Sequence, residues 1–185
     1  MMLLVLLRAS AHDSSGAAAG FLAGLVHPVS GLDHVLAMLA VGLWGAQLGA
    51  PAVWSLPIAF PLLMSVGAAL GVLGLALPGV ELGIGFSALV LGLLVAGAVR
   101  MPLVPATGLV ALFALFHGHA HGTELPEGAS GALYSVGFVL STGLLHACGI
   151  ALGLLRSRAG GERLLRLLGA CVAAGGVHFV VGALR

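Results

Sequence analysis

GALYSVGFVLSTGLLHACGIALGLL, Gly131–Leu155, runs twenty-five residues without an aspartate, glutamate, lysine or arginine. As a helix rising ~1.5 Å per residue, such a run exceeds the ~30 Å hydrocarbon core of a bilayer. The same ruler finds five more long segments, at about Gly31–Gly49, Val53–Leu77, Val80–Val99, Leu103–His121 and Glu162–Leu184, and one short one at about Gly16–His27. Breaks are expected at Pro28, Pro51, Pro78, Pro102 and Pro126 and in the Arg156–Gly161 stretch, because proline lacks an amide donor and crowds the preceding turn. Pro57 and Pro61 predict either a later start or a kink in the third segment. The fold class is therefore all-α: a polytopic membrane bundle of six long helices plus a short N-terminal half-helix or re-entrant piece.

Composition agrees. Hydrophobic residues make up 60% of the 185-residue chain and charged residues 7%, with no lysine, and the mean hydropathy is +1.18. A formal charge of +1 leaves no basic face for nucleic acid. Thirty glycines, costly in soluble helices, let membrane helices approach closely. Cys148 and Cys171 lie far apart in apolar stretches and read as buried, unpaired thiols. At the N-terminus, Ala9-Ser-Ala11 after a short apolar run fits a signal peptide over residues 1–11, leaving a single transport domain at 12–185. An uncleaved amphipathic lead-in is the alternative.

Arginine sets the orientation. Arg100 and the group Arg156, Arg158, Arg163 and Arg166 fall on connections separated by two crossings, hence on one side, which the positive-inside rule makes cytoplasmic. Asp33, Glu81, Glu124 and Glu127 then gather on the opposite side, together with two histidine clusters.

Those clusters are His27-Pro-Val-Ser-Gly-Leu-Asp33-His34 and His117-Gly-His-Ala-His121-Gly-Thr-Glu124. Ionisable side chains in or beside membrane spans are costly and mark ion or substrate sites. Imidazole with carboxylate suits a divalent first-row metal. His117, His121 and Glu124, at i, i+4 and i+7, share one helix face, so the two histidines can chelate one ion, with Glu124 as oxygen ligand or orienting partner. His119 points elsewhere, and Gly118 and Gly122 are expected to loosen the helix. In the first cluster, Pro28 and Gly31 let the chain turn so that His27 folds back toward Asp33 and His34. Met38, one turn on, reads as packing rather than a soft ligand.

Glu81 is either a dipole-stabilising acid at a helix start or a ligand from a third helix. His146 and His178 lie deep in the last two segments, as lower stations, proton carriers or hydrogen-bonding groups between helices. His12, with Asp13 beside it, would offer imidazole plus α-amine at a newly cut terminus.

His27-Pro-x-x-Gly31-x-Asp33-His34 followed by Leu36-x-Met38-x-x-Val41-Gly42 resembles the first motif of the HupE/UreJ family. Phe116-His117-Gly-x-Ala-His121-Gly-x-Glu124 resembles its second. The likeness covers nearly the whole chain, and the weak signal-like start is its main departure. Members are bacterial nickel or cobalt permeases encoded with hydrogenase or urease genes. The resemblance implies a signal peptide, six crossings and uptake from periplasm to cytoplasm across the inner membrane. It also implies functional roles for His27, Asp33, His34, His121 and Glu124. Glu81 and Phe60 occupy positions that members use, although Phe60 carries no ligand atom.

The expectation is a permease for Ni2+ or Co2+ that needs no cofactor, with the bilayer and the transported ion as partners. The residues alone leave two rivals. One is an intramembrane zinc hydrolase using Ser30, Ser65 or Ser141, and the other is a metal-binding protein that does not conduct. No Walker motif is present, so ATP hydrolysis by that route is excluded. Nickel against cobalt, the driving ion and the oligomeric state stay open.

Overall fold

A computed structural model describes residues 18–124 and 130–185. Seven helices follow one another: α1 (Ala18–Ser30), α2 (Leu32–Leu48), α3 (Ala52–Val72), α4 (Val80–Ala96), α5 (Leu103–Thr123), α6 (Gly131–Leu154) and α7 (Gly161–Ala183). A single 3-10 turn, Leu155–Ser157, extends α6. There is no strand among the described residues.

Four helices, α3, α5, α6 and α7, are each long and apolar enough to cross a membrane. The α1–α2 pair qualifies as one broken span, bent by 80°. The α4 helix, at 17 residues, is shorter. Length and composition thus give four or five candidate spans, and the sixth expected crossing would be α4, whose 17 residues stand at the lower limit of ~17–25 for a span. The bundle is a multi-pass membrane protein whose outward face carries Leu22, Ile58, Leu62, Leu140, Leu144 and Leu167.

Two boundaries differ from expectation for local reasons. The first helix does not stop at Pro28 but runs on to Ser30, whose hydroxyl donates to the His27 carbonyl at 2.6 Å. The corner falls at Gly31, which is extended (φ −100°, ψ 115°). The third segment starts at Ala52 and keeps both Pro57 and Pro61 inside one helix, but ends at Val72 rather than Leu77. Gly74 takes φ +69°, and the Leu75 N–H donates back to the Leu70 carbonyl at 3.0 Å, which closes the helix end.

The α2 helix is the hub. It touches α3, α4, α6 and α7, and Met38, Val41 and Trp44 on it are wholly buried. Met38 therefore packs, as read from the sequence. Around the hub lie three tight pairs, α3 with α5, α4 with α7 and α2 with α6. At one end of the bundle the Trp44 indole donates to the Val99 carbonyl at 3.0 Å and Arg156 donates to the Gln47 carbonyl at 2.6 Å. Arg100, Arg156 and Arg166 border one small cleft there. The histidine clusters occupy the other end. Cys148 and Cys171 are unpaired but exposed on the outer surface, not buried. Thiols are apolar enough to face lipid as readily as the core.

The glycines of the second cluster do not loosen α5, which runs unbroken through them. They are where it meets α3. A β-carbon on Gly118 would strike the Met64 backbone, and one on Gly122 the Ala68 backbone. Backbone cannot yield as a flexible side chain can, so Gly118→Ala is expected to cost about 1–3 kcal/mol. Gly108→Ala, where a β-carbon meets nothing within 4 Å, is expected to be neutral or mildly stabilising. Thermal melts of the two variants in detergent check the contrast.

Candidate metal centre

Three pieces of backbone build the site. The last turn of α1 supplies His27, the first turn of α2 supplies Asp33 and His34, and the end of α5 supplies His117, His121 and the capping Glu124. The corner at Gly31 folds His27 back as expected. A β-carbon there would lie 2.8 Å from Asp33 Oδ1 and 3.0 Å from His34 Nδ1, so glycine leaves room for that pair.

The two clusters, some ninety positions apart in the chain, meet. His27 Nε2 lies 3.2 Å from Glu124 Oε2. His27, His121 and Glu124 each offer a ligand atom, all within 4.8 Å of one another. His34 from α2 packs against both α5 histidines, with ring centroids 4.6 Å from His117 and 4.5 Å from His121. His117 and Glu124 consequently sit at different depths: Glu124 has a side chain 57% exposed, while His117 is 0% exposed.

Asp33 works on His34. Its Oδ1 accepts from the His34 backbone N–H and stands 2.8 Å from His34 Nδ1. A carboxylate only accepts, so Nδ1 carries a proton, and in the neutral imidazole Nε2 is left with a free lone pair. That Nε2 is buried and has no hydrogen-bond partner. Neither nitrogen of His121 has one either.

A cleft of about 220 Å³ opens over this group, bordered by His27, Asp33, His34, Glu81, His121 and Glu124. Glu81, exposed at the start of α4, thus joins the rim from another helix. Three carboxylates around one opening raise the local concentration of cations. Imidazoles below them suit a first-row transition ion. Tyr134 and Phe138 of α6, which sequence reading passed over, wall the site: Phe138 lies edge-on to His121 at 4.4 Å, and Tyr134 to His27 at 5.9 Å. Two aromatics one turn apart at the start of an apolar segment were the available signal.

Phe60 is wholly buried and packs against two imidazoles, its ring centroid 5.4 Å from that of His117 and 5.4 Å from that of His146. His146 is 2% exposed, and both its nitrogens lack partners. The structure does not bring His178 to the group. It is exposed and has Phe179 as its neighbouring ring, because it lies on the outward stripe of α7. His119 turns away as expected and bonds the Leu75 carbonyl at 2.8 Å through Nε2. His12, Asp13, Glu127 and the signal-peptide segment lie outside the described residues. Of the serines considered for a hydrolase, Ser30 and Ser65 donate to carbonyls of their own helices. The buried Ser87 on α4, also passed over, lies 2.8 Å from His117 Nε2. A lone hydroxyl on the inward stripe of an otherwise apolar helix was its only trace in the sequence.

The family model of HupE / UreJ proteins matches residues 1–179. Protein HupE of Rhizobium leguminosarum bv. viciae is 48% identical to this chain over 163 residues, covering 88% of the chain and 85% of HupE. No solved structure matches it.

The geometry separates two histidines of one motif. Titrating detergent-purified protein with Co2+ should show His121→Ala binding at least about tenfold more weakly than the parent, since even orienting partners of metal ligands are worth ~10–100-fold. His119→Ala should bind as the parent does and instead lose about 1 kcal/mol of stability with its hydrogen bond.

Proposed function

The chain belongs to the HupE/UreJ family, and on that premise we propose that it takes Ni2+ or Co2+ from the periplasm into the cytoplasm. The metal would serve maturation of a hydrogenase or urease. The observation that carries the reading is the convergence of His27 from α1 with His121 and Glu124 from the end of α5 on one point.

The steps follow from the order of depth. Asp33, Glu81 and Glu124 draw a hydrated dication to the cleft. His27, His121 and Glu124 exchange with part of its water shell. Neutral imidazoles are the ligands, so the ion must find them deprotonated. His34, oriented by Asp33, then takes the ion inward toward His117. Phe60 closes the way below, and its movement would let the ion reach His146. The arginine-bearing end faces the cytoplasm by the positive-inside rule. A protein that only bound metal would have no use for an unpartnered imidazole on the far side of Phe60, so His146 favours conduction. Nickel and cobalt accept the same ligands and differ little in affinity order, so both are expected as cargo.

Accumulation of radioactive nickel in bacteria lacking their own nickel uptake tests the proposal. Cells expressing the parent take up the ion, excess Co2+ competes, and excess Mg2+ does not. Uptake falls as the medium is acidified, because a protonated imidazole has no lone pair for the ion. His27→Ala, Asp33→Ala and Glu124→Ala abolish most of the uptake. Parent-like uptake by all three variants at equal abundance would overturn the site.

A further inference from the structure

We infer that Ser87 holds His117 as its Nε2–H tautomer and so makes His117 Nδ1, with His34 Nε2, an inner all-nitrogen station for the metal ion. The inference rests on the proposed metal uptake and adds a positioning residue to it.

The argument is a count of one proton. The Ser87 hydroxyl is fully buried. Its Oγ lies 2.6 Å from the Ile84 carbonyl oxygen, one turn back on α4. Two oxygens that close need a proton between them, and only the serine has one to give. Its donor capacity is then spent. Oγ also lies 2.8 Å from His117 Nε2, and there it can only accept. His117 therefore carries its proton on Nε2, and Nδ1 is left as a bare lone pair. That Nδ1 is buried and has no hydrogen-bond partner.

Against the His117 ring stands His34, nearly perpendicular at 88° and 4.6 Å away between centroids. Asp33 imposes the complementary arrangement there, with Nδ1 protonated and Nε2 bare. Two facing imidazoles from α2 and α5 thus each have one nitrogen engaged by an outward partner and the other free. Metal-ligating histidines are built this way, with the remote nitrogen donating to a group that fixes tautomer and ring orientation. An ordinary buried Ser–His hydrogen bond explains Ser87 and Nε2. It leaves Nδ1 buried with nothing to bond, which a dehydrated cation would remedy.

The station differs in chemistry from the opening above it. The outer trio includes a carboxylate, which hard cations such as Mg2+ accept. The inner pair offers nitrogen alone, which suits nickel and cobalt and serves magnesium poorly. Discrimination therefore belongs at His34 and His117, and Ser87 acts on it through His117.

The test uses the full-length protein in detergent, with Ni2+ as probe. X-ray absorption counts the imidazoles around the bound ion, and competition titration gives its affinity. Ser87→Ala is expected to lose one imidazole from the shell and to bind Ni2+ about 10–100-fold more weakly. Ser87→Thr, which keeps the hydroxyl, restores both. Ser87→Ala combined with His117→Ala binds no more weakly than His117→Ala alone. In metal-free protein, 15N spectra place the His117 proton on Nε2 in the parent and distribute it over both nitrogens in Ser87→Ala. A parent-like imidazole count in Ser87→Ala, additive losses in the double variant, or a His117 proton on Nδ1 in the parent would each overturn the inference and leave the uptake proposal standing. A parent that binds no Ni2+ would overturn both.

Discussion

Six imidazole nitrogens, on His34, His117, His121 and His146, are buried among the described residues without a hydrogen-bond partner. Leaving one such group unsatisfied costs on the order of 1–3 kcal/mol, and more where no water can reach. A bundle this apolar has no reason to keep them unless something else satisfies them. The grouping is also directional. It begins at a carboxylate-rimmed opening and descends through His34 to His117, with Phe60 and His146 beneath. The rest of the architecture, from the bent α1–α2 corner to the glycine contacts of α5, positions those nitrogens.

The α3–α5 contact illustrates how. Gly118 and Gly122 alternate along α5 with the metal-binding candidates, so one face of the helix presses backbone on backbone while the adjacent face carries His117 and His121. Close approach without side chains leaves the helix little freedom to rotate. The Gly42–Gly149 contact does the same for α2 against α6, and it bears on His146, whose carbonyl meets the space above Gly42. Membrane helices pack through small residues because lipid gives them no hydrophobic reason to associate. Here that packing also sets the direction in which each imidazole points.

Much of this was legible in the sequence. The long segments were bounded to within a few residues, because an unbroken apolar run and a proline or glycine break are strong local signals. The third ran five residues too far, since apolar composition does not distinguish a helix from the turn that Gly74 makes. Pro28 misled for the same local reason: one missing amide bond does not end a helix when the next residues continue it. The meeting of the two clusters was anticipated, but the partition of ligands was not. Spacing along α5 suggested that His117 and His121 share an ion. It could not reveal that an α2 imidazole would pack against both. Depth along α7 similarly suggested a role for His178, but depth without the helical face says nothing about which way a side chain looks. Ser87 escaped because a hydroxyl in an apolar run carries no pattern until its partner is seen.

The shortness of α4 has a consequence for the lipid. Seventeen residues reach about 26 Å at ~1.5 Å per residue, less than the ~30 Å of hydrocarbon in an average bilayer. Phe86 and Leu93 show that one side of α4 faces outward. A span shorter than its surroundings thins the leaflets beside it or draws interfacial groups inward, at a fraction of a kcal/mol per ångström of mismatch. Glu81 lies at one end of that short helix, beside the cleft that Asp33 and Glu124 also border. Where α4 crosses, thinning of the leaflets would fall at the mouth of that cleft, and longer-chain lipids would bring hydrocarbon closer to its carboxylates.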